Sequence, residues 1–143
     1  MRLTSFSDYT LRMLMFAASA EDRLFTIEET ARAFGVSRTH LNKVANTLTR
    51  AGYLVAVRGR SGGLTLGRRP EDIRIGDVIR LTEPDFALVE CFATGNHCTI
   101  TSCCKLSGML RDALSSFQNT LDSYTLADIA LAPRDFLRDT SRA

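Results

Sequence analysis

Through the N-terminal third of the chain, apolar positions return every three or four residues, the period of helices packed on one side. Tyr9, Met13, Phe16 and Ala17 form one such stripe, widened by Leu11, Leu14 and Met15, and predict a helix from about Ser7 to Ala20. Thr26-Ile-Glu-Glu29 has the form of a capping box and opens a second helix, which Gly35 ends after Phe34. Ser37 then serves as N-cap of a third helix reaching about Ala51, with Leu41, Val44, Ala45 and Leu48 turned inward and Gly52 closing it. Two helices joined by a tight glycine turn make a helix-turn-helix.

The period then changes. Tyr53 to Arg58 alternates and is rich in β-formers, Gly59-Arg-Ser-Gly-Gly63 reads as a turn, and Leu64-Thr-Leu66 as a second short strand. A hairpin directly after a helix-turn-helix is a wing. A short helix follows from Ile75 to about Leu81, and then mostly loop from Glu83 to Cys103, where Pro84, Gly95 and Asn96 discourage regular structure. A long helix spans about Cys104 to Ser123. Its Leu110, Leu114, Phe117, Leu121 and Tyr124 make a short a/d seam that fits either its own domain or the same helix of a second copy. Thr125-Leu-Ala-Asp128 looks like a further helix start, and the residues from Pro133 read as a polar, frayed end. The fold class is mainly α with a small β-hairpin wing. It divides into a winged-helix domain at 1–83, a cysteine-bearing loop at 84–103, and a long helix with its tail at 104–143.

Charge sharpens this picture. Residues 1–69 carry eleven Lys/Arg against five Asp/Glu, and residues 70–143 seven against eleven, so a basic half precedes an acidic one. The third helix presents Arg38, Thr39, His40, Asn42, Lys43, Asn46 and Arg50 outside its apolar face, and the wing carries Arg58 and Arg60. Arg38 and Asn42 suit base edges in a major groove, Lys43 and Arg50 suit phosphates, and Arg60 suits a flanking minor groove. Taken singly, Thr39, Asn42 and Asn46 are equally the solvated face of any helix; together, on this scaffold, they point to double-stranded DNA. No stretch is long and apolar enough to span a bilayer. Ala17-Ala18-Ser19-Ala20 resembles a signal-peptidase site, but Asp8 and Arg12 interrupt the preceding apolar run, so the expected location is the cytoplasm.

All four cysteines fall in one stretch, as Cys91, Cys98, Cys103 and Cys104. In a reducing compartment such clustering signals metal or redox chemistry. The close pairs typical of structural zinc are missing. Thiolates spread through a loop suit an iron–sulfur cluster better. Adjacent residues project in different directions on a helix, which disfavours Cys103 and Cys104 as joint ligands of one cluster. Cys104, at a helix start, gains some thiolate stability there. Three thiolates leave a cubane one ligand short. His97, an exogenous group or Asp8 are the alternatives, and the residue pattern alone reads Asp8 first as an ordinary helix-start acid. A thiol enzyme using the vicinal pair is the rival class, but no C-x-x-C and no activating acid or histidine accompany it.

The opening Met1-Arg-Leu-Thr-Ser-Phe-Ser-Asp-Tyr-Thr-Leu-Arg-Met-Leu-Met15, the wing Val57-Arg-Gly-Arg-Ser-Gly-Gly-Leu-Thr-Leu66 and the stretch Thr82-Glu-Pro-Asp-Phe-Ala-Leu-Val-Glu-Cys91 together resemble the Rrf family of winged-helix transcription regulators. The similarity runs to about Ile129. In cluster-binding members five residues separate the second and third cysteines, and a basic residue and leucine follow. Cys98 and Cys104-Lys-Leu106 match, which makes Cys91, Cys98 and Cys104 the implied ligands and Cys103 an extra thiol. The resemblance further implies a homodimer crossed through the long helix, a 4Fe–4S cluster, and repression relieved by nitric oxide. Asp8 stands where, in some members, an aspartate of one subunit completes the cluster of the other. A sibling answering to iron or cluster supply would use the same cysteines. One that draws its fourth ligand from a histidine beyond the third cysteine finds none here after His97.

Overall fold

In the computed structural model, which describes residues 1–137, the first helix starts earlier than its apolar stripe predicts. Helix α1 runs Ser5–Ser19, because the Thr4 hydroxyl accepts the Ser7 N–H at 3.2 Å and so caps it two residues upstream of the predicted start. Helix α2 covers Ile27–Phe34. Its capping box is complete, with Glu29 N–H donating to the Thr26 hydroxyl at 3.1 Å and Thr26 N–H to the Glu29 carboxylate at 2.7 Å. Gly35 follows at φ +64°, a left-handed conformation that costs glycine nothing and turns the chain sharply into α3, Arg38–Arg50. The wing pairs β1 (Leu54–Val57) antiparallel with β2 (Gly63–Leu66), with Leu54 opposite Leu66 and Val57 opposite Gly63. Helix α4 covers Ile75–Thr82 and α5 covers Lys105–Asp122. The fold is the expected one: mainly helical, with one two-stranded hairpin.

The core lies where α1, α3 and α4 meet the root of the wing. Met13, Leu14, Phe25, Val44, Leu48, Ile73, Val78 and Leu126 are fully buried there. Two contributors carry no local signal in the sequence. Phe25 forms a bridge to β2, its N–H donating to the Leu64 carbonyl at 3.0 Å and its carbonyl accepting the Leu64 N–H at 2.7 Å, so the wing is stitched to the start of α2. After α5 the chain returns to the same core. Ile75 N–H donates to the Tyr124 carbonyl at 3.0 Å and Leu126 N–H to the Ile73 carbonyl at 2.8 Å.

The end of the chain needs correcting. Pro133–Phe136 forms a 3-10 turn rather than a frayed tail, and the Phe136 ring sits edge-on against Phe16 at 5.3 Å and Phe34 at 5.6 Å. One aromatic side chain outweighs the polar residues around it. The rest of the predicted polar end, 138–143, lies outside the described residues. Helix α5 has no buried residue. Leu106, Met109, Phe117 and Tyr124 are exposed, while Leu110, Leu114 and Leu121 are only half-buried. Its C-terminal end meets α4 at Gly76, where a β-carbon would collide with the Asp122 carboxylate, and Arg80 donates to that carboxylate. Among the described residues no helix is long and apolar enough to cross a membrane.

Candidate nucleic-acid interface and cysteine loop

The Ser37 hydroxyl accepts the His40 N–H at 3.3 Å and fixes the start of α3. Because Leu41, Val44, Ala45 and Leu48 take the buried side, Arg38, Thr39, His40, Asn42, Lys43, Asn46 and Arg50 are all exposed. Arg58 and Arg60 are exposed at the wing. None of Arg38, Lys43, Arg50, Arg58 and Arg60 enters an ion pair among the described residues, so their charge is available to a polyanion. Arg68 and Arg69, just beyond the wing, are occupied instead. Arg68 lies 4.4 Å over the Tyr53 ring and donates to the Ala51 carbonyl, and Arg69 pairs with Asp72 at 3.0 Å. A groove between the start of α2, the first turn of α3 and the wing brings Glu28 and Val57 beside Arg38 and Asn42. Only the tertiary fold brings these two to that place; neither has a sequence signal.

His40 differs from its neighbours on α3. Its imidazole stacks on the Tyr9 ring of α1, with centroids 6.0 Å apart and planes 24° from parallel. Asp8, next to Tyr9, accepts two hydrogen bonds from the Arg12 guanidinium, at 3.0 and 2.8 Å. That guanidinium also lies 5.9 Å from the centres of both the Tyr9 and Phe34 rings. Asp8 and Arg12 side chains are 47% and 41% exposed, so their ion pair is worth no more than about 1 kcal/mol. Little opposes the carboxylate's exchange of that partner for another.

The cysteine loop hangs from a clasp. Glu83 caps the end of α4, and its carboxylate accepts the Thr4 N–H at 2.8 Å, the Thr4 hydroxyl at 3.0 Å and the Ser7 hydroxyl at 2.6 Å. Buried Ser7 and Thr82 share a further hydroxyl contact of 2.7 Å. Partial burial pushes the Glu83 carboxyl upward, but the hydrogen bonds from Ser7 and Thr4 hold it below the ordinary glutamate value. Beyond the clasp the loop bonds mainly to itself. Glu90 accepts the His97 N–H at 2.9 Å, and Asn96 accepts the Cys98 N–H at 2.9 Å while donating to Thr101 at 2.8 Å. Phe92 lies under the Arg111 guanidinium of α5, 5.3 Å away. Glu90, Asn96, Thr101 and Arg111 thus shape the loop, although Asn96 reads in sequence only as a breaker.

Cys91 sits in a 3-10 turn and is half-buried. Cys98 and Cys103 are exposed, and Cys104 is the half-buried N-cap of α5, making no capping hydrogen bond. The Cys103 thiol donates to the Ile100 carbonyl at 3.5 Å. All four are free thiols. Among the described residues no three Cys, His, Asp or Glu side chains converge on a point where one metal ion would sit, and Asp8 is turned to Arg12. The donor set itself fits an iron–sulfur group in its chemistry: four free thiols on one loop tethered at both ends.

A family described as "Rrf2: Iron-dependent Transcriptional regulator" matches residues 3–132. The HTH-type transcriptional regulator NsrR of Bacillus licheniformis is 46% identical over 133 residues, covering 92% of this chain and 93% of its own. Its namesake in Bacillus subtilis is 44% identical over 140 residues, covering 96% of each. Among solved structures, the global cysteine regulator CymR of B. subtilis superposes with a TM-score of 0.70 at 27% identity, covering 91% of this chain and 96% of that one. IscR of T. potens superposes at 0.71 with 25% identity, covering 90% and 85%. The relatives are named as transcriptional regulators, not enzymes.

Proposed function

The chain belongs to the Rrf2 family of transcriptional regulators, and from that membership we propose that it represses transcription as a homodimer on a roughly palindromic operator and lets go when nitric oxide reaches an iron–sulfur cluster in its cysteine loop. The observation that carries this reading is the loop itself: unpaired thiols suspended between the Glu83 clasp on α1 and the start of α5. The resemblance of Cys98 and Cys104-Lys-Leu106 to the loop of cluster-binding members and the 46% identity to a regulator named NsrR support it. Cys91, Cys98 and Cys104 would hold the cluster, with Asp8 of a second copy as the fourth donor. Bound there as 4Fe–4S, it would supply irons open to attack by nitric oxide.

The protein's own part is to convert that event into movement of a DNA-reading helix. Three thiolates of one loop can hold iron without constraining the helix-turn-helix. A carboxylate on α1 adds that constraint, because α1 packs directly on α3. Asp8 is an oxygen donor among sulfurs and exchanges more readily, and its pair with Arg12 costs little to remake. Arg38 and Asn42 would meet base edges, with Thr39, His40 and Asn46 beside them; Lys43, Arg50 and Arg58 would meet phosphates and Arg60 a minor groove. The exposed seam of α5 supplies the face for a second copy.

Anaerobic protein should show broad visible absorption, lose it in Cys91→Ala, Cys98→Ala and Cys104→Ala, and keep it in Cys103→Ala. Asp8→Ala should keep the absorption while its operator affinity no longer responds to nitric oxide. An Asp8→Ala protein responding as fully as wild type would remove Asp8 from the switch. The family description, "Iron-dependent", favours a second reading in which iron supply is the signal. Operator release on iron chelation but not on nitric oxide would select it.

A further inference from the structure

We propose that the Tyr9–His40 stack is the contact through which the state of the Asp8 carboxylate reaches the recognition helix, so that Tyr9 and His40 act as positioning residues of the switch. The inference rests on the preceding reading of Asp8. Most of the packing between α1 and α3 is indifferent to that carboxylate: Met13, Leu14, Leu41 and Val44 are buried at 1% exposure or less and present only hydrocarbon and thioether surface. Contacts of that kind hold two helices together but do not sense a charge. Outside the core one connected set of side chains does. Asp8 binds Arg12, Arg12 lies over the rings of Tyr9 and Phe34, and Tyr9 stacks on His40.

The set spans all three helices of the DNA-reading unit. Asp8, Tyr9 and Arg12 belong to α1, Phe34 to the last position of α2, and His40 to the first turn of α3, two residues from Arg38 and from Asn42. When Asp8 turns to another partner, Arg12 loses its two carboxylate contacts and its place over the Tyr9 face is no longer fixed. A guanidinium over a ring and a second ring stacked on that one are electrostatically linked, because both use the same π-system. Such a link supplies the differential interaction that a two-state switch requires. The first turn of α3, which carries the base-reading candidates, moves with it.

The test uses the full-length, cluster-loaded protein and reads the ratio of operator affinities before and after anaerobic nitric oxide. Tyr9 is half-buried, so two ring-less replacements, Tyr9→Leu and Tyr9→Met, guard against misfolding of one, with thermal midpoints as the check. Both should keep the visible spectrum and its bleaching by nitric oxide, yet reduce the affinity ratio at least tenfold. Tyr9→Phe, which keeps the ring, should restore the wild-type ratio. The double variant Tyr9→Leu/His40→Ala should lose no more coupling than Tyr9→Leu alone, since one contact cannot be broken twice. A ratio preserved in both ring-less variants would overturn the proposal, as would an equal loss of affinity in both states, which is what a merely structural Tyr9 would give. A wild-type protein lacking the spectrum or the response would overturn the sensor reading itself, and this inference with it.

Discussion

Glu83 takes hydrogen bonds from the Thr4 N–H and the Thr4 and Ser7 hydroxyls while closing α4, so one carboxylate holds the start of α1 against the root of the cysteine loop. Its carboxyl lies below the ordinary value when folded, and that fixes the sign of a pH effect. A depressed folded value adds stability above the unfolded value and loses it as pH falls through the folded one. Glu83→Gln should therefore cost about 1.5–3 kcal/mol near neutral pH, the range for hydrogen bonds to a charged group. The gap to wild type should shrink as urea titrations move to acid. A pH-independent gap would assign the cost to shape. None of this is legible from the residue pattern, because Thr4 and Glu83 meet only after folding. The four thiols are legible as chemistry, but a division between them is not: Cys103 and Cys104 are neighbours, and a helix start favours Cys104 only modestly where the family resemblance chooses it outright. Asp8 reads as a helix-start acid, and its actual partner, Arg12, is a helical turn away, an i,i+4 relation that the sequence permits but does not demand.

Elements were far more readable, because their signals are local. Thr26 and Glu29 cap α2, Gly35 turns, and Ser37 caps α3, each fixed within four residues of chain. The wing was legible by alternation and glycine content, though its bridge to Phe25 was not, since nothing in Leu24-Phe25 marks it as strand. The wing's freedom has a measurable consequence. Arg60 is exposed and enters no ion pair among the described residues, unlike Arg68 and Arg69, which the fold has already used. Arg60→Ala should weaken operator binding and flatten its dependence on salt, because one cation leaves the negative potential of the minor groove. Arg68→Ala should instead act mainly on stability, by freeing the Ala51 carbonyl at the end of α3 and uncovering Tyr53. If the two variants shifted the salt slope equally, the division between free and occupied arginines would fail.

At the scale of the whole molecule, the chain leaves the winged helix at Glu83 and comes back to it. Leu126 is fully buried in the common core, Ile75 and Leu126 exchange backbone hydrogen bonds with Tyr124 and Ile73, Arg80 holds Asp122, and Phe136 closes on Phe16 and Phe34. Pattern reading missed this return because it is made by short 3-10 turns and a few single residues rather than by a periodic element. The covalent path through the cysteine loop is therefore not what keeps α5 in place. A protease cutting at the exposed Ala93-Thr94-Gly95 should leave two fragments that travel as one particle in native gel filtration and separate only in denaturant. Fragments that part without denaturant would show the return contacts to be too weak to hold. If the pieces stay together, the two halves expressed separately should find each other and rebuild the fold, and the gene could be opened at this loop to place new ends there, leaving the DNA-reading surface untouched.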